Sequence, residues 1–329
     1  MTQYVDFTSD KHDRQVILPA RFKNLWKFYK IQEAQIWKFE ELSFTQDVID
    51  WKNSDVLTPQ VKKFILQIIG FFAVSDSLVV NNLIDRFLTE VVVPECKAFY
   101  SVQAFIEVVH AETYAAMLNL FTETDERHDI IASPAIQAKA TWAQTYMNKD
   151  KPFAVRLWAF CVFEGVLFQA SFASMFWLKK KGVLPGVTGA NEFISRDEDL
   201  HARFAAEMIN MLEIPLTQED MYEVLNEAVE CEEAFVRESL TEDIMGMTKD
   251  MLIQYVCFSA DRILGFIKRT DKGPAPLLYN QKNPFKWMEM SDMDGKTNFF
   301  ERRVTEYESS TVGMDKGEEG DDFNLDEEF

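Results

Sequence analysis

The chain has 329 residues, and 47% of them are hydrophobic, which is enough apolar material for a large buried core. The formal net charge of −20 argues against a nucleic-acid-binding surface, because such surfaces carry clustered positive charge. The four cysteines lie far apart and form no Cys-x-x-Cys pair, which indicates buried thiols in a reducing compartment and predicts a cytoplasmic protein. No shift in composition divides the chain before its acidic end, so we predict one large domain.

Apolar residues recur at helical spacing after an N-terminal part that mixes short helical signals with turns, and glycine and proline are sparse. This pattern predicts an all-α fold. Thr58 followed by Pro59 marks a helix start, since threonine caps well and proline suits the first helical position. The segment "FTETDERHDII" is predicted to be a polar break. Helices are predicted over Thr58–Val92, Pro94–Leu120, Ser133–Asn148, Pro152–Lys181, Gly186–Leu212, Thr217–Leu240 and Lys249–Ile267.

One segment, Ala159 to Leu178, is long and apolar enough to cross a membrane. It carries Glu164 and Gln169 near its middle, where an ionisable group is costly in lipid, and it stands alone as a spanning candidate. We therefore predict a buried helix of a bundle and no membrane association. The start of the chain, "MTQYVDF", also has no basic region followed by an apolar block, so no secretory signal is predicted.

Acidic side chains interrupt four helices at positions where the pattern predicts core. A single buried acid of this kind is more often a paired core residue, but here two of the four histidines follow a glutamate by three residues. Two Glu-x-x-His pairs and two further acids are the ligand set of dimetal helical bundles. Four carboxylates would also neutralise two divalent ions, which makes their burial tolerable. The predicted ligands are Asp76, Glu107, His110, Glu164, Glu198 and His201.

The other histidines, His12 and His128, serve as a control for this pattern. Neither combines the spacing with an apolar surrounding, and both are predicted to face solvent. Tyr114 lies one turn beyond His110 on the same helix face, so its phenol should lie near the metals. Either it can be oxidised there, or it is a core tyrosine that only donates a hydrogen bond to a ligand.

These residues lie in segments that resemble the small, radical-generating subunit of class I ribonucleotide reductase. The segments are "FFAVSDSLV", "IEVVHAETY", "FEGVLFQASFASMFWLKKKGVLPG", "NEFISRDEDLH", "NPFKWME" and "GKTNFFERRVTEY", in the order of that family. The resemblance implies a ferritin-like helical bundle over residues 1–307 and a homodimer. It also implies a centre of two iron ions, with manganese as the alternative, which activates dioxygen and leaves a stable radical on Tyr114.

The same resemblance assigns roles to residues that spacing alone would leave as ordinary packing or surface groups. Phe168, Phe172 and Ile194 match the apolar pocket around the radical. Trp37, Asp197 and Tyr307 match the route by which the oxidation reaches the large catalytic subunit, where ribonucleotides are reduced. Asp197 also matches an acid that is hydrogen-bonded to the ligand histidine His110.

The last residues, 308–329, contain nine acids and one lysine and are predicted to be disordered in the free protein. Phe323, Leu325 and Phe329 are apolar anchors in this polar tail, which indicates a segment that becomes ordered in a partner's groove. The resemblance identifies that partner as the large subunit. Two other functions remain open from the residues themselves: a dimetal oxidase or desaturase that acts directly on an apolar substrate, and a ferroxidase or iron-storage protein.

Overall fold

The computed structural model describes residues 4–53, 55 and 57–290, apart from the side chains at positions 124, 125, 289 and 290. Within these ranges the chain is helical, and strand pairing is limited to isolated bridges such as that between Val5 and Leu212. The all-α prediction is therefore confirmed. The helices are α1 Lys23–Glu33, α2 Thr45–Lys52, α3 Pro59–Glu90, α4 Pro94–Phe121, α5 Thr124–Ile131, α6 Pro134–Tyr146, α7 Phe153–Lys181, α8 Pro185–Met211, α9 Gln218–Ser239, α10 Lys249–Phe266 and α11 Lys286–Met290.

The helix starts follow from local sequence chemistry. The side chain of Thr58 accepts a hydrogen bond from the backbone N–H of Val61 at 3.3 Å, and Pro59 occupies the first turn of α3. Gly182 caps the end of helix α7, and its φ of 73° lies in the left-handed region that glycine adopts without strain. The predicted bounds of these helices therefore lie within a few residues of the observed ones.

Two of the long helices each contain a π-helical turn that the sequence did not reveal. In α3 this turn covers Leu83–Phe87, and in α7 it covers Phe163–Leu167. A π-helical turn closes its hydrogen bonds one residue later than an α-helical turn, and such turns occur frequently at functional sites. The turn in α7 contains Glu164, which is one of the predicted metal ligands.

The prediction of a polar break after α4 is wrong, because Thr124–Ile131 forms the short helix α5. This segment contains few apolar residues, so the periodicity that marks an amphipathic helix is weak. Helix α5 packs against α3, and Ile130 is buried there. Tertiary contact thus supports a helix that the local pattern does not predict.

The helices that carry the predicted ligands pack together as a bundle. Helix α3 packs along α4, α7 packs along α8, and α4 contacts α8. The start of α8 is held by α2, because Asp47 accepts hydrogen bonds from the backbone N–H groups of Gly186 and Val187 at 2.9 and 2.8 Å. Only glycine fits at position 186, since an added Cβ would lie 2.4 Å from the backbone oxygen of Ser43.

Two helices, Pro59–Glu90 and Phe153–Lys181, are long and apolar enough to cross a membrane by length and composition. The expectation that the second stands alone is therefore wrong. The most apolar window of Phe153–Lys181 is 100% buried inside the protein, which agrees with the predicted core helix. The corresponding window of Pro59–Glu90 is 61% buried, and this helix packs along α4.

The prediction that His12 faces solvent is also wrong. Its side chain is only 4% exposed, and its ring meets Phe22 edge to face with 6.1 Å between the centroids. The N-terminal segment lies against the bundle, where the N–H of Val5 donates to the carbonyl of Met211 at 2.7 Å, and this packing covers the imidazole. His128 is exposed as predicted. The tail and Tyr307 lie outside the described residues.

Candidate dimetal centre

Glu107 and His110 lie on one face of α4, and both side chains are fully buried. Three residues along a helix bring side chains to the same side, and here Nδ1 of His110 lies 3.3 Å from Oε2 of Glu107. The same nitrogen lies 3.0 Å from Oε1 of Glu198 on α8. Helix α4 thus directs an acid and an imidazole toward a neighbouring helix of the bundle.

Helix α8 provides the second pair in the same way. Nδ1 of His201 lies 2.9 Å from Oε2 of Glu198 and 3.1 Å from Oε1 of Glu107. With Glu164 from the π-helical turn of α7, these residues form one cluster: one potential ligand atom from each of Glu107, Glu164, Glu198 and His201 lies within 4.8 Å of the others. All four are fully buried.

Asp76 of α3 is 1% exposed, and its main charged neighbours are His110, Glu107 and Glu198. Four helices therefore contribute the six side chains that the sequence singled out, and the structure brings them together. Oδ2 of Asp76 and Oε2 of Glu164 are buried without a hydrogen-bond partner. Buried carboxylate oxygens without partners are costly unless a cation satisfies them.

The cluster contains more carboxyl groups than imidazoles, and a pair of cations would balance the negative charge of the carboxylates. Burial raises the pKa of Asp76 and of Glu164 well above the usual range, and nearby carboxylates add to this effect. Burial also opposes charge on His201, but Glu198 and Glu107 outweigh it and raise the pKa of His201 to about 9. Without cations, Asp76 and Glu164 therefore favour their protonated forms, whereas the pKa of Glu198 is lowered by the two histidines. Oxygen-rich sites with two imidazoles suit iron or manganese, so the residues fit a dimetal centre.

Tyr114 is 3% exposed, and its hydroxyl group has no hydrogen-bond partner. Burial, followed by the charge of Asp76, raises the pKa of Tyr114 well above its usual value, so the phenol keeps its proton. The ring of Phe72 stacks on the Tyr114 ring with 4.6 Å between centroids and 14° between planes. The phenol therefore lies beside the cluster in an apolar, closely packed surrounding.

The three residues expected around Tyr114 are all buried, but another aromatic ring makes the direct stacking contact. Phe72 lies 5.6 Å from Phe168 and 5.1 Å from Phe172 between ring centroids, and it stacks on Tyr114. Ile194 is 1% exposed. The sequence contains a signal for Phe72, since it precedes Asp76 by four residues and shares its helix face.

Asp197 connects the cluster to Trp37. Its Oδ2 lies 3.3 Å from Nε2 of His110 and accepts a hydrogen bond from Nε1 of Trp37 at 2.7 Å. Arg196 binds the other oxygen of the carboxylate at 3.0 Å. Burial disfavours the charged form, but Arg196 and His110 outweigh it and keep the pKa of Asp197 below its usual value. An ionised carboxylate thus lies between an imidazole of the cluster and a buried indole.

Comparison with known proteins agrees with this geometry. The family model "Ribonucleotide reductase, small chain" matches residues 14–271. The ribonucleoside-diphosphate reductase small chain of Nicotiana tabacum is 40% identical over 324 residues, covering 96% of this protein and 96% of its own length. The corresponding small chain of vaccinia virus (strain Copenhagen) is 38% identical over 325 residues, covering 96% and 97%. This chain belongs to the ribonucleotide reductase small-chain family.

A solved structure shows the same fold. The structure of the ribonucleotide reductase Rnr4 homodimer from Saccharomyces cerevisiae matches with a TM-score of 0.74 and 29% identity, covering 86% of this chain and 90% of that one. The ferritin-like bundle that the resemblance implies is confirmed. The protein is therefore the small chain of an oxidoreductase, and its buried acid and histidine cluster fits the dimetal site of such a protein.

Two glutamines contact the cluster of this ribonucleotide reductase small chain and were missed by sequence reasoning. Nε2 of Gln32 lies 2.8 Å from Nε2 of His201, and Nε2 of Gln103 lies 3.4 Å from one oxygen each of Glu107 and Glu164. Gln103 precedes Glu107 by four residues on α4, so its spacing was a usable signal. Gln32 lies far from His201 in sequence, and only the packing of α1 on α8 brings it there.

Proposed function

We propose that this chain is the radical-generating small subunit of a ribonucleoside-diphosphate reductase, with Asp76, Glu107, His110, Glu164, Glu198 and His201 as the ligands of two metal ions. The observation that supports this most directly is the convergence of these buried groups from four helices, with carboxylate oxygens that lack partners. The relatives named as ribonucleoside-diphosphate reductase small chains favour this function over a desaturase or an iron-storage protein.

We propose iron as the metal, because carboxylates and imidazoles suit it and because the family resemblance implies it. When bound, the two ions would supply the oxidising power, drawn from dioxygen, that removes one electron and the phenol proton from Tyr114. The protein contributes the surroundings of the resulting radical. Phe72, Phe168, Phe172 and Ile194 fill the space around the phenol with apolar groups, which excludes water and external reductants.

The contacts of Asp197 support a route for the oxidation out of this site. Its carboxylate joins His110 to Trp37 through contacts of 3.3 and 2.7 Å, so a proton or hydrogen-bond shift can accompany electron transfer along this line. The route would continue through Tyr307 to the large catalytic subunit, which the tail would bind with Phe323, Leu325 and Phe329. These four residues lie outside the described part of the chain.

A homodimer is supported by an exposed apolar stripe on α4. Phe105 and Val108 are 48% and 52% exposed, although they belong to a helix whose other face is core, and Leu120 near its end is 42% exposed. Exposed apolar patches of this kind mark interaction surfaces. The Saccharomyces relative is described as a homodimer, and we propose the same state and a cytoplasmic location for this chain.

The experiment that tests the proposed function is the substitution Tyr114→Phe. The variant should bind two metal ions per chain like the wild type, because no ligand changes, but it should give no tyrosyl signal in electron paramagnetic resonance after exposure to dioxygen. Metal analysis and the resonance spectrum measure these two outcomes separately. A tyrosyl signal of wild-type strength in the variant would place the radical on another residue and contradict the assignment.

A further inference from the structure

A fully buried ion pair lies outside the metal site, and the proposed function gives it no role. Lys139 of α6 pairs with Glu232 of α9, and neither side chain is exposed to solvent. The ammonium group lies over the ring of Phe71 at 3.3 Å and over the ring of Phe235 at 4.0 Å from the centroids. A charged pair is thus enclosed among four helices, α3, α6, α7 and α9.

Stability alone does not explain this arrangement. Two charges lose their hydration on burial, and replacing a buried ion pair by well-packed apolar residues is often neutral or stabilising. Burial lowers the pKa of Lys139 to about 8 and raises the pKa of Glu232, which shows that the surroundings disfavour both charges. The reason for burying the pair must therefore lie in its other contacts.

The lysine of the pair binds a backbone group at the end of the π-helical turn Phe163–Leu167. Nζ of Lys139 donates a hydrogen bond to the carbonyl oxygen of Leu167 at 2.8 Å. Where a π-helical turn returns to α-helix, the regular ladder of backbone hydrogen bonds is interrupted, so polar partners from outside are needed there.

This anchoring point lies between two functional side chains of α7. Glu164 belongs to the π-helical turn itself, and Phe168 follows Leu167 directly. The Phe168 ring lies 5.6 Å from Phe72, which stacks on Tyr114, and 5.5 Å from Phe71, over which the Lys139 ammonium lies. Movement at Leu167 would therefore shift both a ligand carboxylate and the wall of the tyrosine pocket.

We propose that Lys139, paired with Glu232, is a positioning residue that holds the π-helical turn of α7, and with it Glu164 and Phe168, in the arrangement that the radical site needs. This inference rests on the proposed function of Tyr114. The hydrogen bond to Leu167, rather than the attraction between the two charges, is the contact that matters.

The test uses the full-length double variant K139M/E232L, which replaces the pair by apolar side chains of similar size. Its thermal stability should equal or exceed that of the wild type. Amide hydrogen exchange across residues 163–172 of the metal-free protein should be about tenfold faster, because one buried hydrogen bond is lost. After metal loading and exposure to dioxygen, the tyrosyl signal should decay about tenfold faster for the same reason.

Two further variants serve as controls. E232Q removes the charge but leaves Lys139 able to bind Leu167, so exchange and signal decay should stay within about twofold of the wild type. R156M/E90L removes another ion pair of α7. Arg156 lies in the first turn of this helix, away from the tyrosine pocket, so neither measurement should change. If K139M/E232L does not fold, E232Q still tests whether the charge of Glu232 is required.

Two results would overturn the inference: exchange and signal decay in K139M/E232L within about twofold of the wild type, or a change in E232Q as large as about tenfold. The first would show that packing alone holds the turn, and the second that the charge is required. A wild-type protein without a tyrosyl signal would contradict the proposed function instead, and the exchange measurement on metal-free protein would still test the role of the pair.

Discussion

At the scale of single residues, Trp37 and Asp197 show how burial changes the meaning of an ordinary side chain. From spacing alone, Trp37 was a packing aromatic and Asp197 a surface acid. The structure buries both and joins them by a hydrogen bond of 2.7 Å, with His110 on the other side of the carboxylate. The family resemblance had indicated this arrangement, whereas periodicity could not, because the two residues lie far apart in the sequence.

We predict that Trp37→Phe leaves metal binding and the Tyr114 signal in place but lowers turnover with the large subunit by about 10²-fold, since the proton-donating indole of the route is lost. Steady-state reduction of a ribonucleoside diphosphate measures the loss, and resonance spectra check the radical. Trp158→Phe is the matched control, because this buried indole donates only to the backbone of Met221 at 3.0 Å. Equal turnover in the two variants would contradict the route through Trp37.

His12 gives a prediction about acid stability. Burial, supported by Arg21 and Lys11, lowers the pKa of His12 below its usual value of 6.5. His12 therefore binds a proton more readily in the unfolded chain than in the folded protein. As the pH falls below 6.5, this proton binding favours unfolding, so the stability that is present above pH 6.5 is lost. His12→Phe should reduce the drop in melting temperature between neutral and mildly acidic solution. His128→Ala removes an exposed histidine and should leave the drop unchanged; equal responses would contradict the effect of burial.

At the scale of helices, the sequence predicted most of the long elements because their apolar periodicity is strong and their ends carry proline, threonine or glycine. It did not predict α5, whose residues are mostly polar. It also did not predict the π-helical turns, because both long helices are apolar over most of their surface, which hides a one-residue shift in the periodicity. The metal-site prediction also depended on regular helix geometry, since the spacing Glu-x-x-His places two side chains on one helix face. Spacing along one helix could not predict the role of Gln32, because its contact with His201 depends on packing between helices that lie far apart in the sequence.

The start of α8 offers a matched pair of glycines to test how this helix is held. Gly186→Ala should destabilise the protein by about 3 kcal/mol, because the added Cβ would meet the Ser43 backbone oxygen and the carboxylate of Asp47. Gly189→Ala should stabilise it by about 0.5–1 kcal/mol, since an added Cβ meets nothing within 4 Å and alanine favours helix. Denaturant unfolding measures both changes. Similar values for the two variants would show that the contact with α2 does not hold α8.

At the scale of the whole molecule, the described helices form the proposed radical site, while the proposed partner contact lies in the acidic tail. Removing residues 308–329 should therefore leave metal content and the tyrosyl signal unchanged but abolish turnover, because the chain no longer binds its large subunit. A synthetic peptide "FNLDEEF" should compete with the full-length chain for that subunit. Binding of the shortened chain with wild-type affinity, or no competition at high peptide excess, would contradict the role of the tail.

The five-residue turn of α7 also limits how the length of this chain can vary. Deleting one residue from Phe163–Leu167 would let the helix close as a regular α-helix, and every later side chain of α7 would rotate by about 100° relative to those before the deletion. Glu164 and Phe172 would then face different directions. A substitution in this turn leaves the register of α7 intact, but a gained or lost codon does not.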